Sequence, residues 1–87
     1  MEEKFYRKND IGVTIEYYVI GEYINQGKKY RIYTDFVTDE STFTGIRLFV
    51  DLMIDNENYV VVEGEEKRRL LEEFHSEILN YTQQKEG

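Results

Sequence analysis

Residues 59–81 read YVVVEGEEKRRLLEEFHSEILNY, and the spacing of the apolar residues changes within this stretch. Before Gly64 the side chains alternate, with Val60 and Val62 on one face, which is typical of a strand. After Gly64 the apolar residues recur at helical spacing, at Leu70, Leu71, Phe74, Ile78 and Tyr81. The stretch therefore predicts a strand that ends at Gly64 and an amphipathic helix over residues 65–82.

Three segments upstream show the two-residue alternation of strands, over residues 13–24, 29–37 and 44–54. In the first, which reads VTIEYYVIGEYI, the alternation places Tyr17, Val19 and Tyr23 on one face of the sheet. Gly21 lies inside this strand and indicates a bulge or a point of close packing.

Polar loops of only a few residues separate these segments, so consecutive strands are expected to be neighbours. The length of 87 residues fits one domain. We expect an α+β fold, a four-stranded antiparallel β-meander packed by one C-terminal α-helix, with an extra N-terminal strand as an option. The expected layout is an arm or edge strand at 1–11, the sheet at 12–63, the helix at 65–82 and a frayed tail at 83–87.

One helix covers one face of a sheet, which leaves the second face to be explained. The alternation places Tyr18, Ile20, Tyr33, Phe49 and Met53 on that second face, and Leu79 lies opposite the apolar stripe of the helix. Aromatic residues and methionine are enriched at protein interfaces, so these six residues form the predicted protein-contact surface. Three occupants remain open: the N-terminal arm with Phe5 and Tyr6, a second copy of the chain, or a different protein.

The chain has few of the residue types and spacings that catalysis or metal binding requires. It has no cysteine, which removes thiolate catalysis, disulfides and zinc–thiolate sites. The single histidine, His75, lies on the flank of the helical stripe, and Ser76 points to another side of the helix. The polar loop at 55–58 lacks the downstream ligands of a calcium loop. We predict no catalytic, cofactor-binding or metal-binding residues, and hence a protein that is not an enzyme.

The net charge of −7 disfavours direct binding to nucleic acid and is compatible with a basic protein partner. No apolar run is long enough for a membrane span, and residues 1–4 lack the pattern of a signal peptide. With the absence of cysteine, this predicts a cytoplasmic protein without membrane association. We expect a non-catalytic protein-binding or regulatory module whose partner is an unidentified protein or a second copy. The alternative is an acidic nucleic-acid mimic of the phage type that inhibits a basic nucleic-acid-binding protein.

The order of short motifs adds a resemblance to these expectations. The chain reads Gly21-Glu22-Tyr23, then Gly27-Lys28-Lys29-Tyr30, then Tyr59-Val60-Val61-Val62-Glu63, then Glu65-Glu66 and a helix with Phe74. Over residues 13–78 this order resembles the YrzB-like small acidic bacterial proteins, a family of unknown function. The resemblance implies a bacterial source and a β-meander followed by a helix, and it implies no catalytic residue.

Overall fold

The computed structural model describes the backbone of residues 3–86 and the side chains of residues 3–78. Five antiparallel strands form one sheet in the order of the chain, and a helix follows the last strand. The elements are β1 (Glu3–Lys8), β2 (Thr14–Asn25), β3 (Lys28–Thr38), β4 (Ile46–Met53), β5 (Tyr59–Val62) and α1 (Gly64–Glu86). The predicted α+β fold, an antiparallel sheet with one C-terminal helix, is confirmed.

The number of strands is five, so the main expectation of four needs correction. The segment at the N-terminus pairs with β2 along its whole length, from Glu3 opposite Val19 to Lys8 opposite Thr14. Its sequence, EKFYRK, is dominated by charges, which is why the hydrophobic pattern alone left it open between arm and strand. The structure therefore places β1 at one edge of the sheet and β5 at the other.

The main core lies between α1 and the face of the sheet that the helix covers. Alternate residues of β3 and β4 point to this face because successive side chains of a strand point to opposite sides. Their apolar members meet the apolar stripe of the helix, and the cluster consists of Tyr30, Ile32, Val50, Val62, Leu70 and Phe74. Leu70 is completely buried. Below, this side of the sheet is called the helix face, and the opposite side is called the second face.

A bulge in β2 changes which side chains reach the helix. The pairing with β3 shifts between Val19 and Gly21, so one residue of β2 has no partner. As a result Tyr17 lies on the second face, whereas Tyr23 packs beside the core of the helix face. The sequence-based prediction that both share one face is wrong, because the extra residue reverses the alternation.

Gly21 is the reason that the helix can approach the bulge. A β-carbon at this position would lie 3.1 Å from Cζ of Phe74, closer than ordinary van der Waals contact. The absence of a side chain thus lets the ring of Phe74 pack directly on the strand. The helix, along the part of the chain that the structure describes, is not long and apolar enough to cross a membrane.

Candidate protein-contact surface

A buried carboxylate organises the second face. Asp51 is 0% exposed and accepts hydrogen bonds at its Oδ2 atom from Nη2 of Arg7 and from Nη2 of Arg31, each at 3.1 Å. Its Oδ1 atom accepts a hydrogen bond of 2.8 Å from the hydroxyl of Tyr33. These four residues are called the Asp51 cluster below. The cluster joins β1, β3 and β4, which carry Arg7, Arg31 and Asp51 on the same side of the sheet.

Two guanidinium groups share one carboxylate in this cluster, so each guanidinium has a carboxylate partner although the three groups lie largely out of water. Burial raises the pKa of Tyr33, and the hydrogen bond to Asp51 raises it further, so the hydroxyl stays protonated and keeps donating. Burial lowers the pKa of Arg7, but the hydrogen bond to Asp51 and the electrostatic interactions with Tyr33 and Asp51 together outweigh it, so the pKa is raised. Tyr33 is therefore neutral and Arg7 is charged at neutral pH.

Aromatic rings surround the Asp51 cluster and fill the rest of the second face. Phe5 stacks on Tyr17 with ring centroids 5.4 Å apart, and it meets the edge of Tyr33 at 5.0 Å. Phe49 stacks on Tyr33 at 5.3 Å. The guanidinium carbon of Arg31 lies 4.2 Å from the centroid of the Phe5 ring, a cation–π contact. Of the three occupants left open for this face, the N-terminal segment is the one that the structure places there.

The structure does not bring the six residues of the predicted protein-contact surface together. Tyr33 is only 2% exposed and Phe49 is half-buried beside it, so the expectation that Tyr33 lies on an open surface is corrected. Tyr18 lies on the helix face, opposite Thr34 of β3, and its ring packs on Phe36.

Two further members of the predicted surface, Ile20 and Met53, lie elsewhere in the sheet. Ile20 is the unpaired residue of the bulge and is 39% exposed. Met53 is half-buried at the end of β4, opposite Tyr59 of β5. Leu79 belongs to α1, but its side chain lies outside the described residues. The sequence-based face assignment fails here because neither the bulge in β2 nor the pairing of buried charges can be seen in a hydrophobic pattern.

A different apolar surface emerges at β5, which ends the sheet. The strand reads YVVV and carries no charge, and its first three residues are exposed: Tyr59 by 39%, Val60 by 54% and Val61 by 46%. Only Val62 is buried, under the helix. An uncharged, exposed strand at the end of a sheet is uncommon, because such edges pair readily with other chains.

The hydrogen bonding of the β4–β5 hairpin shows which backbone groups of β5 face outward. The amide of Ile54 donates to the carbonyl of Asn58 at 2.9 Å, which makes the next pair, Met53 with Tyr59, a non-hydrogen-bonded pair. Pairs alternate along an antiparallel ladder, so Val61 opposite Asp51 is of the same kind. Tyr59 and Val61 therefore direct their N–H and C=O groups away from β4. Together with the exposed side chains of β5, these groups are called the β5 edge below.

Carboxylates flank the β5 edge at both ends. Asp55 and Glu57 lie in the turn before β5, and Glu63 and Glu66 follow it, all of them exposed. Among the described residues none of these four is in an ion pair, whereas the neighbouring Glu65 pairs with Arg68 at 2.9 Å. The side-chain amide of Asn58 and two backbone amides of the turn donate to Asp55 and lower its pKa, so it stays ionised at neutral pH. The four carboxylates are called the flanking acids.

His75 lies in a third place, at an open cavity of about 440 Å³ between α1 and the loop before β4. Its ring stacks on Phe43 with centroids 4.2 Å apart and planes 5° from parallel, which ties that loop to the helix. The hydroxyl of Thr42, which also lines the cavity, donates to the carbonyls of Asp39 and Ile46. These contacts hold the loop against the helix. Among the described residues no hydroxyl group donates a hydrogen bond to the imidazole of His75, as a nucleophile activated by this histidine would.

Over the described residues, no group of three or more histidine, cysteine or acidic side chains is placed to hold a metal ion. The loop at 55–58 is instead a closed turn, in which Asp55 accepts hydrogen bonds from Asn58 and from the amide of Glu57.

Sequence reasoning missed both the Asp51 cluster and the β5 edge. The two arginines and the aspartate carry no local sign of burial, because charged residues are rarely buried, and the contact between Arg7 and Asp51 spans 44 positions of the chain. The sequence did contain a feature that could have indicated the β5 edge. An uncharged strand that comes last in a meander has only one neighbour, so it must lie at an edge.

No family model matches the chain, and neither the curated proteins nor the solved structures include a significant match. The resemblance to the YrzB-like proteins consequently stays a prediction.

Proposed function

We propose that the protein is a non-catalytic protein-binding module and that the β5 edge is its contact surface. The observation that carries this proposal is the uncharged, exposed strand Tyr59–Val62, whose outward N–H and C=O groups have no hydrogen-bond partner among the described residues. A cytoplasmic location and the absence of membrane association, both expected from the sequence, belong to the same proposal.

It is unfavourable to leave the backbone groups and apolar side chains of the β5 edge without a partner, and this supports a binding role. Strands at the end of a sheet are usually short, charged or covered, because unpaired backbone groups next to apolar side chains promote association. β5 is short, but its four residues include no charge and three of them are exposed. A partner would bury these side chains and satisfy the outward backbone groups at the same time, and both effects favour binding.

The alternative, an acidic mimic of nucleic acid, finds less support in the geometry. A mimic needs a continuous row of free carboxylates. Several acids of this chain are instead neutralised by neighbouring arginines, as in the pairs of Glu65 with Arg68, Glu73 with Arg69 and Asp35 with Arg47. The free flanking acids border an apolar strand rather than forming a row of their own.

Affinity capture with two matched variants tests the proposed function. Val61 on the β5 edge and Val37 at the irregular end of β3 are 46% and 48% exposed, so Val61→Lys and Val37→Lys make the same change in charge at equal exposure. From a lysate of the cells that express the protein, wild type and Val37→Lys should retain the same protein, and Val61→Lys should lose it.

Two results would contradict the proposal. One is that no protein is retained by wild type, and the other is that both variants retain it equally. A retained partner that is lost equally from both variants, and that dissociates steeply as salt is added, would favour the nucleic-acid mimic, because exposed charges are screened by salt.

A further inference from the structure

We infer that the β5 edge takes up an extended peptide segment as a sixth strand, and that this segment is apolar in its middle and basic at both ends. The inference rests on the proposed function and goes beyond it, since it states how the partner binds and what chemistry it carries. A protein could also contact the exposed side chains of β5 without forming any strand.

The backbone of β5 provides the hydrogen bonds of the added strand. Tyr59 and Val61 each direct one N–H and one C=O group away from β4, at the spacing that a neighbouring strand requires. Strand addition to an open sheet edge is a common mode of peptide recognition, in which backbone hydrogen bonds supply affinity and alternate side chains supply specificity. The exposed Val60 and Val61 project to opposite faces, so an added strand gains an apolar neighbour on each side of the sheet.

The negative charges of the flanking acids determine which peptide fits the β5 edge. Asp55 and Glu57 lie before β5, and Glu63 and Glu66 lie after it, so a strand laid along β5 has carboxylates beside both of its ends. Lysine or arginine at these ends complements the carboxylates, and acidic residues there would be repelled. Because both ends of β5 are acidic, the charge pattern requires basic residues at both ends of the peptide whichever direction it runs.

A second copy of the chain fits the edge poorly. If two β5 strands paired antiparallel, Glu63 and Glu66 of one copy would lie beside Asp55 and Glu57 of the other. If they paired in parallel, each acid would lie beside its own counterpart. Like charges that face each other across a pair of strands destabilise the pairing, so the flanking acids act against self-association through this edge.

A peptide-binding experiment with a backbone variant tests the inference. The probe is a labelled synthetic peptide with valine and threonine alternating in its middle and two lysines at each end, and binding is followed by fluorescence anisotropy. In Val61→Pro the outward N–H group is lost, whereas the ladder to β4 is kept, because Val61 opposite Asp51 is a non-hydrogen-bonded pair. The matched control, Val61→Thr, keeps the N–H group and the β-branched shape.

Strand addition predicts that Val61→Pro weakens binding of the lysine-ended peptide about tenfold or more, while Val61→Thr changes it by less than about threefold. A peptide with glutamates in place of the lysines should bind neither wild type nor Val61→Pro. The affinity of wild type for the lysine-ended peptide should fall as salt is added.

Circular dichroism establishes first that the variants are folded. If Val61→Pro is not folded, wild type is titrated instead with the lysine-ended peptide methylated on its central backbone amides, which should not bind.

Three results would overturn the inference: no binding of the lysine-ended peptide to wild type, equal binding by Val61→Pro, or equal binding of the glutamate-ended peptide. The native partner separates this inference from the proposed function. A partner that is lost on Val61→Lys but kept on Val61→Pro leaves the binding module intact and removes strand addition.

Discussion

The two edges of the sheet differ in how the chain protects them. At β1, four of the six residues are charged, two on each side of Phe5 and Tyr6. At β5, none of the four residues is charged. Arg7 of β1 also reaches across the second face, where its guanidinium carbon lies 4.0 Å from the centroid of the Tyr59 ring of β5. The chain thus places cations on one edge and leaves the other apolar.

The contrast separates an edge that is tied into the sheet, β1, from the edge that we propose for binding, β5. Charged residues on an edge strand discourage pairing with other chains, and the Asp51 cluster ties β1 to the middle of the sheet. β5 is held by its ladder to β4 and by the burial of Val62, and nothing among the described residues covers its outer side. We therefore expect changes at the attachment of β1 to affect mainly stability and changes at the β5 edge to affect mainly binding.

The largest expected effect is at the attachment of β1. Asp51→Asn removes the carboxylate that Arg7 and Arg31 share, while it keeps the shape of the side chain. Two largely buried cations then lack a counter-charge, and breaking a buried pair in this way costs about 3–5 kcal/mol. Urea denaturation measures the change in the free energy of unfolding. The control Asp55→Asn, at an exposed turn, should cost much less than Asp51→Asn, and equal costs for the two variants would contradict the structural role of the cluster.

A smaller effect is expected where the cluster meets the aromatic rings. Tyr33→Phe removes the donor to Oδ1 of Asp51 and should cost about 1–3 kcal/mol at neutral pH, because a buried acceptor is left without that partner. The control Tyr6→Phe, on an exposed residue of β1, should change the free energy of unfolding by less than about 0.5 kcal/mol.

The raised pKa of Tyr33 also determines how the free energy of unfolding should change with pH in the alkaline range. Burial raises the pKa of Tyr33 above its unfolded value of about 10, so the folded state holds this proton more tightly than the unfolded state does. The resulting stability is complete below about pH 10 and is lost as the pH rises towards the folded-state pKa. Urea denaturation from pH 8 to pH 11 should therefore show a steeper decline for wild type than for Tyr33→Phe. Parallel declines would contradict the burial of a protonated Tyr33.

The smallest effect on stability is expected at the β5 edge. Val61→Lys and Val37→Lys should each change the free energy of unfolding by less than about 0.5 kcal/mol, because both side chains are nearly half exposed. A loss above about 2 kcal/mol for Val61→Lys alone would show that the side chain of β5 is part of the core and not of a contact surface.

The sequence predicted those parts of the fold in which hydrophobic spacing is regular. In β3 and β5 the alternation assigns the faces correctly, with Ile32 and Val62 toward the helix, and the change of period at Gly64 locates the junction of strand and helix. In β2 the unpaired residue Ile20 reverses the faces of the residues that follow it. Its neighbour Gly21 is the local sign of this bulge in the sequence.

The candidate site was harder to predict than the fold because it depends on contacts between distant parts of the chain. Tyr33 was assigned to an open surface, since nothing local to β3 shows that Phe5 packs against its ring. Nothing local to Arg31 or Asp51 shows that each supplies the partner that allows the other to be buried. The β5 edge follows from strand order, which becomes definite only once the pairing is known.

The most direct test of the binding edge is amide hydrogen exchange, followed residue by residue by NMR, with and without the lysine-ended peptide. We predict that the peptide slows exchange of the amides of Tyr59 and Val61, the two that point away from β4, and leaves β1 unchanged. Slower exchange along Glu3–Lys8 with no change in β5 would contradict the assignment of the binding edge.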